Sequence, residues 1–254
     1  MDILVFFILW VIFIFSFWMI FYSITLAKKL LSPSGEVSFV FFEVDWDFLF
    51  KEWQFVMLEA EFLGKKVKKP YSIATSYDYF RQTRQIWFIV KRASEDWMSY
   101  FLTHLVNNGD KAKISTPVWH FTDKKLSINY FFISTGSWLS PIYSHLSHLL
   151  ESWHTGKIVN LYGERYAEHL LSETEKIFSL TTPHFKNFLH LSQEKNLPAN
   201  RKPWRIQESF NEAIDWLGEN FVVYICGKPE MVDNIREKLK EKNHPKEMIF
   251  FEKY

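Results

Sequence analysis

Near the end of the chain an apolar run, Phe221-Val222-Val223-Tyr224-Ile225, leads into Cys226-Gly227-Lys228-Pro229-Glu230-Met231. A thiol beside a glycine at the carboxyl end of a predicted strand is the first place to look for chemistry, because open α/β sheets bind ligands outside those ends. Two readings of Cys226 stay open on this pattern: a thiol at a reactive site, or a small buried residue closing a strand. The nine histidines offer less. None stands in a His-x-x-x-His or His-Glu-x-x-His pattern that would aim two ring nitrogens at one ion, so no metal site is expected. His145 and His148, three residues apart beside Leu149, read as surface or groove residues. A single cysteine excludes an internal disulfide framework and an iron-sulfur cluster held by four cysteines of this chain. There is no Gly-x-Ser-x-Gly elbow and no P-loop.

The elements that must position such a site follow from periodicity. Met231, Ile235 and Leu239 recur at helical spacing, and Met248 to Phe251 is apolar again, so the terminal stretch predicts strand, turn, helix, strand. Upstream, from Ser127 on, the short apolar runs Tyr130–Ile133, Ile158–Tyr162 and Phe188–Leu191 alternate with helical patterns, which predicts a doubly wound parallel sheet. From Glu36 to about Phe121 the pattern is instead short strands with turns: Val37–Phe42, Gln54–Leu58 and Gln85–Val90. One helical stretch from Trp97 to about Leu105 interrupts it, and a further strand follows Gly109-Asp110. That suits a small antiparallel β-barrel.

The amino-terminal end is different in kind. Ile3 to Ala27 carries no charged side chain, is longer than the roughly 20 residues a helix needs to cross the hydrocarbon core, and predicts a transmembrane helix in contact with the lipid bilayer through residues 3–27. A cleaved signal peptide would have a basic start and a shorter apolar core. Lys28 and Lys29 follow directly and place the remainder on the cytoplasmic side. Ser32-Pro33-Ser34-Gly35 reads as a linker. The expected organisation is an anchor over 1–27, a linker over 28–35, the barrel over 36–125 and the α/β domain over 126–254. With 30 Lys and Arg against 29 Asp and Glu, no nucleic-acid partner is expected.

Seven segments in order then resemble the ferredoxin-NADP reductase superfamily over essentially everything after residue 35. Trp53-Gln54-Phe55 and Lys69-Pro70-Tyr71-Ser72-Ile73 are similar to its Gly-Gln-Phe strand and Arg-x-Tyr-Ser flavin motif. Asp96 to Leu102 with Gly109-Asp110 resembles the pyrophosphate-contacting helix and its following turn, and Thr116-Pro117-Val118-Trp119-His120-Phe121 the Gly-Pro-x-Gly-x-Phe segment. Ser134-Thr135-Gly136-Ser137-Trp138-Leu139-Ser140-Pro141 is similar to the Gly-Thr-Gly-x-x-Pro nucleotide loop, Tyr162-Gly163-Glu164-Arg165 to the Tyr-Gly-x-Arg strand end, and Cys226 to Met231 to the Cys-Gly-x-Pro-x-Met motif.

The resemblance implies an FAD-binding barrel and an NAD(P)-binding α/β domain. It implies cofactor contacts from Lys69, Tyr71, Ser72, Ile73, Ser99, Thr135, Gly136, Arg165, Gly227 and Pro229, and catalytic places for Ser72, Cys226 and the terminal Tyr254. Lys69 stands for the family arginine, keeping the charge without the bidentate fork. Trp119 and Trp138 stand where the family has glycines; each either stacks on a ring or fills the space. Gln193 after Ser192 tilts coenzyme choice to NADH, with Arg201, Lys202 and Arg205 near enough in sequence to favour NADPH instead. The implied activity is a membrane-anchored FAD-dependent oxidoreductase that takes electrons from NADH or NADPH. It hands them to a separate acceptor, whether a membrane or soluble redox protein, a quinone or a metal complex. The alternative is a tethered, non-catalytic flavin- or partner-binding module that no longer accepts NAD(P)H.

Overall fold

The computed structural model describes residues 20–253 apart from 45–46, 63, 94–97, 119–128, 153, 181, 198–200 and 204. Eleven strands fall into two sheets. The first is antiparallel and six-stranded, in the order β4-β3-β6-β1-β2-β5, from β1 (Phe21–Leu31), β2 (Val37–Val44), β3 (Phe55–Phe62), β4 (Lys65–Ser72), β5 (Gln85–Lys91) and β6 (Lys111–Ser115). The second is parallel and five-stranded, in the order β11-β10-β7-β8-β9, from β7 (Asn129–Thr135), β8 (Ile158–Glu164), β9 (Phe185–Leu191), β10 (Phe221–Gly227) and β11 (Ile249–Lys253). Helices Leu139–Glu151, Ser172–Phe178, Phe210–Leu217 and Pro229–Glu241 connect the parallel strands. β7, β8 and β10 are buried through most of their length, as strands covered on both faces must be, and this is why they read as unbroken apolar runs.

The amino-terminal boundary differs from the sequence expectation. Residues 21–27 do not continue a membrane helix; they open β1, which lies between β6 and β2 in the first sheet. Ile24 and Leu26 turn into the barrel core while Ser23 and Thr25 turn away, a period of two that the continuous apolar run upstream conceals. Lys28 and Lys29 are strand residues too, Lys28 over the Phe41 ring and Lys29 donating to the Val106 carbonyl. The expected linker is the β1–β2 turn: Gly35 takes φ +72°, and its N–H donates to the Ser32 carbonyl at 2.8 Å. Among the described residues no helix is long and apolar enough to cross a membrane; residues 3–19 of the expected span lie outside them.

The two sheets share one core. Phe39, Phe41 and Trp87 of the first, with Trp53 from the turn before β3, pack in a single buried cluster with Tyr130, Phe132 and Tyr224 of the second and Tyr143 of the helix Leu139–Glu151. Trp53 reaches furthest: its ring stacks on Tyr224 at 4.6 Å, and its Nε1–H donates to His145 Nδ1. His145 is therefore 2 % exposed and not the surface residue its spacing suggests, because Trp53, from the turn before β3, covers it. His148, on the same helix, does reach a groove, where Nδ1 lies 2.8 Å from Asp78 Oδ2. A short helix that sequence periodicity misses, Tyr77–Thr83, carries Asp78 and is capped by Ser76, whose hydroxyl accepts the Tyr79 N–H.

Candidate functional site

The carboxyl ends of β4 and β10 meet across the interface between the sheets. Hydrogen bonds from the helix Leu139–Glu151 hold the β4 end there: Ser140 Oγ donates to the Ser72 carbonyl at 2.7 Å, and Ser144 Oγ to the Thr75 carbonyl at 2.6 Å. Between these ends opens a cavity of about 890 Å³ whose walls include Lys69, Tyr71, Ser72, Ser99 and Cys226. Residues drawn from both sheets, far apart in sequence, thus face one space. Its volume lies within the roughly 300–1,000 Å³ of small-molecule and cofactor sites.

The chemistry of the wall is mixed in the way a dinucleotide requires. Tyr71 offers an aromatic face over the barrel core, and burial pushes its phenol well above the ordinary tyrosine range. Lys69 is exposed at the rim on the same strand. Ser99 Oγ accepts the Ala93 N–H at 3.0 Å, which shapes the start of the helical turn Met98–Tyr100. Cys226 is fully buried, paired in register with Ser134 on one side and Glu252 on the other. Burial first, and the Glu252 carboxylate second, hold its thiol well above the usual range.

A raised thiol pKa has a direct consequence. The folded protein keeps a neutral thiol while an unfolded chain ionises at about pH 8.5, so this group leaves stability unchanged well below that pH and lowers it progressively above, where the unfolded thiol loses its proton first. The sign follows from proton linkage: above pH 8.5 the native state binds more protons than the unfolded one, and stability falls as pH rises. Iodoacetamide at about pH 8 is expected to leave Cys226 unmodified in the native protein and to alkylate it fully in urea, read by intact mass. Fast native alkylation would refute the buried state.

A second cavity of about 730 Å³ adjoins the first, and Lys91, Ser137 and Trp138 line both. Thr135, Gly136, Arg165, Ser192 and Arg205 face it. Gly136 takes φ +59°, which brings backbone to its surface with no side chain in the way. Gly163 is required by packing, since a Cβ there would sit 2.7 Å from Ile206 Cγ2. Of the three cations that sequence order offers, only Arg205 faces this cavity: Arg201 pairs with Glu175 at 3.0 Å and Lys202 with Glu212 at 2.5 Å.

Glu164 and Lys91 escape sequence reasoning. The Glu164 carboxylate is buried at the edge of the second cavity, where it accepts the Arg165 N–H at 2.8 Å and meets Lys91 Nζ at 3.4 Å and His169 Nδ1 at 3.2 Å. His169 Nε2 in turn lies 3.4 Å from Glu36 of the barrel. The Lys91-Arg92 pair ending an apolar strand is the available signal for one partner. Nothing local marks Glu164.

Other expected site residues stand apart. Ile73 lies in the barrel core, its N–H donating to the Gln54 carbonyl. Pro229 is exposed at the first position of the helix Pro229–Glu241. Gly227 faces neither cavity but leaves room for Met231 and Thr135, both of which a Cβ would strike. Tyr254, Trp119 and His120 lie outside the described residues. Trp138 is half-buried in the turn Gly136–Trp138, between the two cavities.

An antiparallel barrel and a parallel α/β sheet that share a cavity at the strand ends define a known architecture. The fold is that of the ferredoxin-NADP reductases. A ferredoxin-NADP+ reductase from Neisseria gonorrhoeae, solved with bound FAD and NADP, superposes with a TM-score of 0.76 over 92 % of this chain and 98 % of its own, at 16 % identity. Residues 132–237 match the family model of the oxidoreductase NAD-binding domain. The chain is 26 % identical over 200 residues to the reductase component of propane 2-monooxygenase from Rhodococcus jostii, covering 75 % of this chain and 52 % of that protein. It is 21 % identical over 184 residues to the electron transfer component of toluate 1,2-dioxygenase from Pseudomonas putida, covering 71 % and 53 %. The chain thus spans about half the length of these two relatives.

Proposed function

We propose that this chain is the flavin- and nicotinamide-binding unit of a membrane-tethered NAD(P)H oxidoreductase that passes electrons to a separate acceptor. The observation that carries the reading is the pair of adjoining cavities, one walled by Lys69, Tyr71 and Ser72 and the other by Thr135, Gly136 and Arg165, with Lys91, Ser137 and Trp138 common to both. The reductase component of propane 2-monooxygenase and the electron transfer component of toluate 1,2-dioxygenase, to which the chain is similar, favour the same role.

The residues present fit the cofactors. FAD, when bound, supplies the capacity to take two electrons from a nicotinamide and release them singly. Lys69 would hold its phosphates, Tyr71 would pack against its ring, and Ser72 and Cys226 would wall the space where ring and nicotinamide approach. Arg165 and Arg205 supply positive charge for the nucleotide in the second cavity, and the Gly136 turn lets backbone close on its phosphates. Burial of Cys226 and the shared aromatic core below it keep water from that side of the space.

The tether rests on residues 3–19. Even with β1 beginning at Phe21, these seventeen uncharged residues remain within the roughly 17–25 that span a bilayer, and Lys28 and Lys29 favour a cytoplasmic barrel.

Detergent-solubilised protein is expected to be yellow and to bleach anaerobically with NADH or NADPH. A colourless preparation that takes up no FAD would sink the proposal. A yellow protein bleached only by dithionite would favour the non-catalytic reading, which the bulk of Trp138 between the cavities supports. Trp138→Gly should speed reduction about tenfold, the equivalent of relieving roughly 1.4 kcal/mol of steric conflict. An unchanged rate would show that the indole does not obstruct the junction.

A further inference from the structure

We propose that the outer face of strands β4, β6 and β1 docks on the anionic phospholipid headgroups of the bilayer that holds the amino-terminal segment. The inference rests on the tether reading and adds to it where the barrel sits. The Ile20 carbonyl already accepts the Thr116 N–H at 2.8 Å, and β1 begins at the next residue. A span ending at residue 19 therefore leaves no linker. One residue reaches at most about 3.6 Å, while the headgroup layer of each leaflet is roughly 5–8 Å deep. The end of the sheet holding Phe21 is thereby drawn into that layer.

The face that arrives there is basic. Phe21 pairs with Ser115, Ser23 with Lys113 and Thr25 with Lys111, while Glu59 pairs with Lys113 on one side and Lys68 on the other. Inward positions Ile24, Leu58, Ala112 and Ile114 are buried, so alternation turns Lys66, Lys68, Lys111 and Lys113 outward, and all four are exposed. Lys68 Nζ lies over the Phe21 ring itself, 4.4 Å from its centroid. Glu59 and Glu61 share the face, and Glu59 is occupied by Lys66 at 2.8 Å, leaving a net positive surface.

Lysines on an edge strand also serve to block pairing with other sheets, and β4 is an edge. Lys111 and Lys113 have no such duty, since β6 lies between β3 and β1. Lysines across an outer sheet face, with an aromatic at the chain's point of entry, suit an anionic lipid surface, which attracts basic residues within a Debye length.

The test uses the full chain in vesicles of phosphatidylcholine alone and of phosphatidylcholine mixed equally with phosphatidylglycerol. Acetylation by an amine-reactive reagent is followed by mass spectrometry. Lys66, Lys68, Lys111 and Lys113 should label several-fold more slowly with phosphatidylglycerol and recover in high salt, while Lys240 on the helix Pro229–Glu241 and Lys242 at its end label equally in both. A chain that floats with both vesicles but labels alike in them overturns the docking and leaves the tether intact. A chain that stays out of both vesicles overturns the tether and the docking with it. Protection produced by an added acidic protein, and not by phosphatidylglycerol, assigns the face to a protein and overturns the lipid assignment.

Discussion

Trp53→Ala is expected to cost about 3–5 kcal/mol of stability, the range for truncating a fully buried aromatic. The indole is 2 % exposed, stacks on Tyr224 and donates to His145, so truncation opens a cavity in the core common to both sheets and removes a hydrogen-bond donor from a buried imidazole. Trp53 also adopts φ +71°, a left-handed backbone that costs a non-glycine residue about 1–2 kcal/mol. Trp53→Gly should therefore be milder than Trp53→Ala by about 1 kcal/mol, although glycine removes more side chain. Urea unfolding of the two variants checks both statements. An alanine variant within about 1 kcal/mol of the parent would mean that the stack does not support the interface.

Reversing the charge at Lys69 carries the largest expected effect on cofactor retention. Losing a charge-assisted hydrogen bond to a phosphate costs roughly 1.5–3 kcal/mol, and a carboxylate in its place adds repulsion, so Lys69→Glu should weaken FAD binding about a hundredfold or more. Lys69→Arg should hold or tighten it, because the guanidinium restores a bidentate grip. Lys69 sits exposed on an edge strand, and neither change should alter the melting temperature of the flavin-free protein. Fluorescence titration with FAD measures the affinities. Equal affinity for all three proteins would remove Lys69 from the phosphate site.

Much of this arrangement is legible in the chain itself, for reasons that differ by residue. The strands of the parallel sheet announce themselves because burial on both faces forces unbroken apolar runs. Cys226 is findable because it ends a predicted strand, and strand ends are where this architecture opens; Tyr71 and Ser72 are reached only through their likeness to the Arg-x-Tyr-Ser motif, since the lysine-rich β4 carries no apolar run. β1 is not legible: its Ile24 and Leu26 alternate with Ser23 and Thr25, but an apolar run of longer reach precedes them and swamps a two-residue period. His145 is misleading because spacing along a helix does not say what covers it, and its cover, Trp53, lies 92 positions earlier. Glu164 depends on Lys91 and His169, one from the barrel and one from the α/β domain, and no local pattern encodes a carboxylate satisfied from two directions.

The placement of β1 bears on how the chain assembles. This strand leaves the ribosome before the other ten of the described residues, yet it is enclosed in its sheet, paired with β2 at once but with β6 only when Ser115 has been made. Until then the nascent β1–β2 hairpin presents an unpaired edge, and closing it requires a contact of long sequence separation, the kind that slows folding. Barrel closure accordingly waits for Ser115, which is made before any strand of the parallel sheet, and the interval before it appears is when the β1–β2 edge is most open to mispairing.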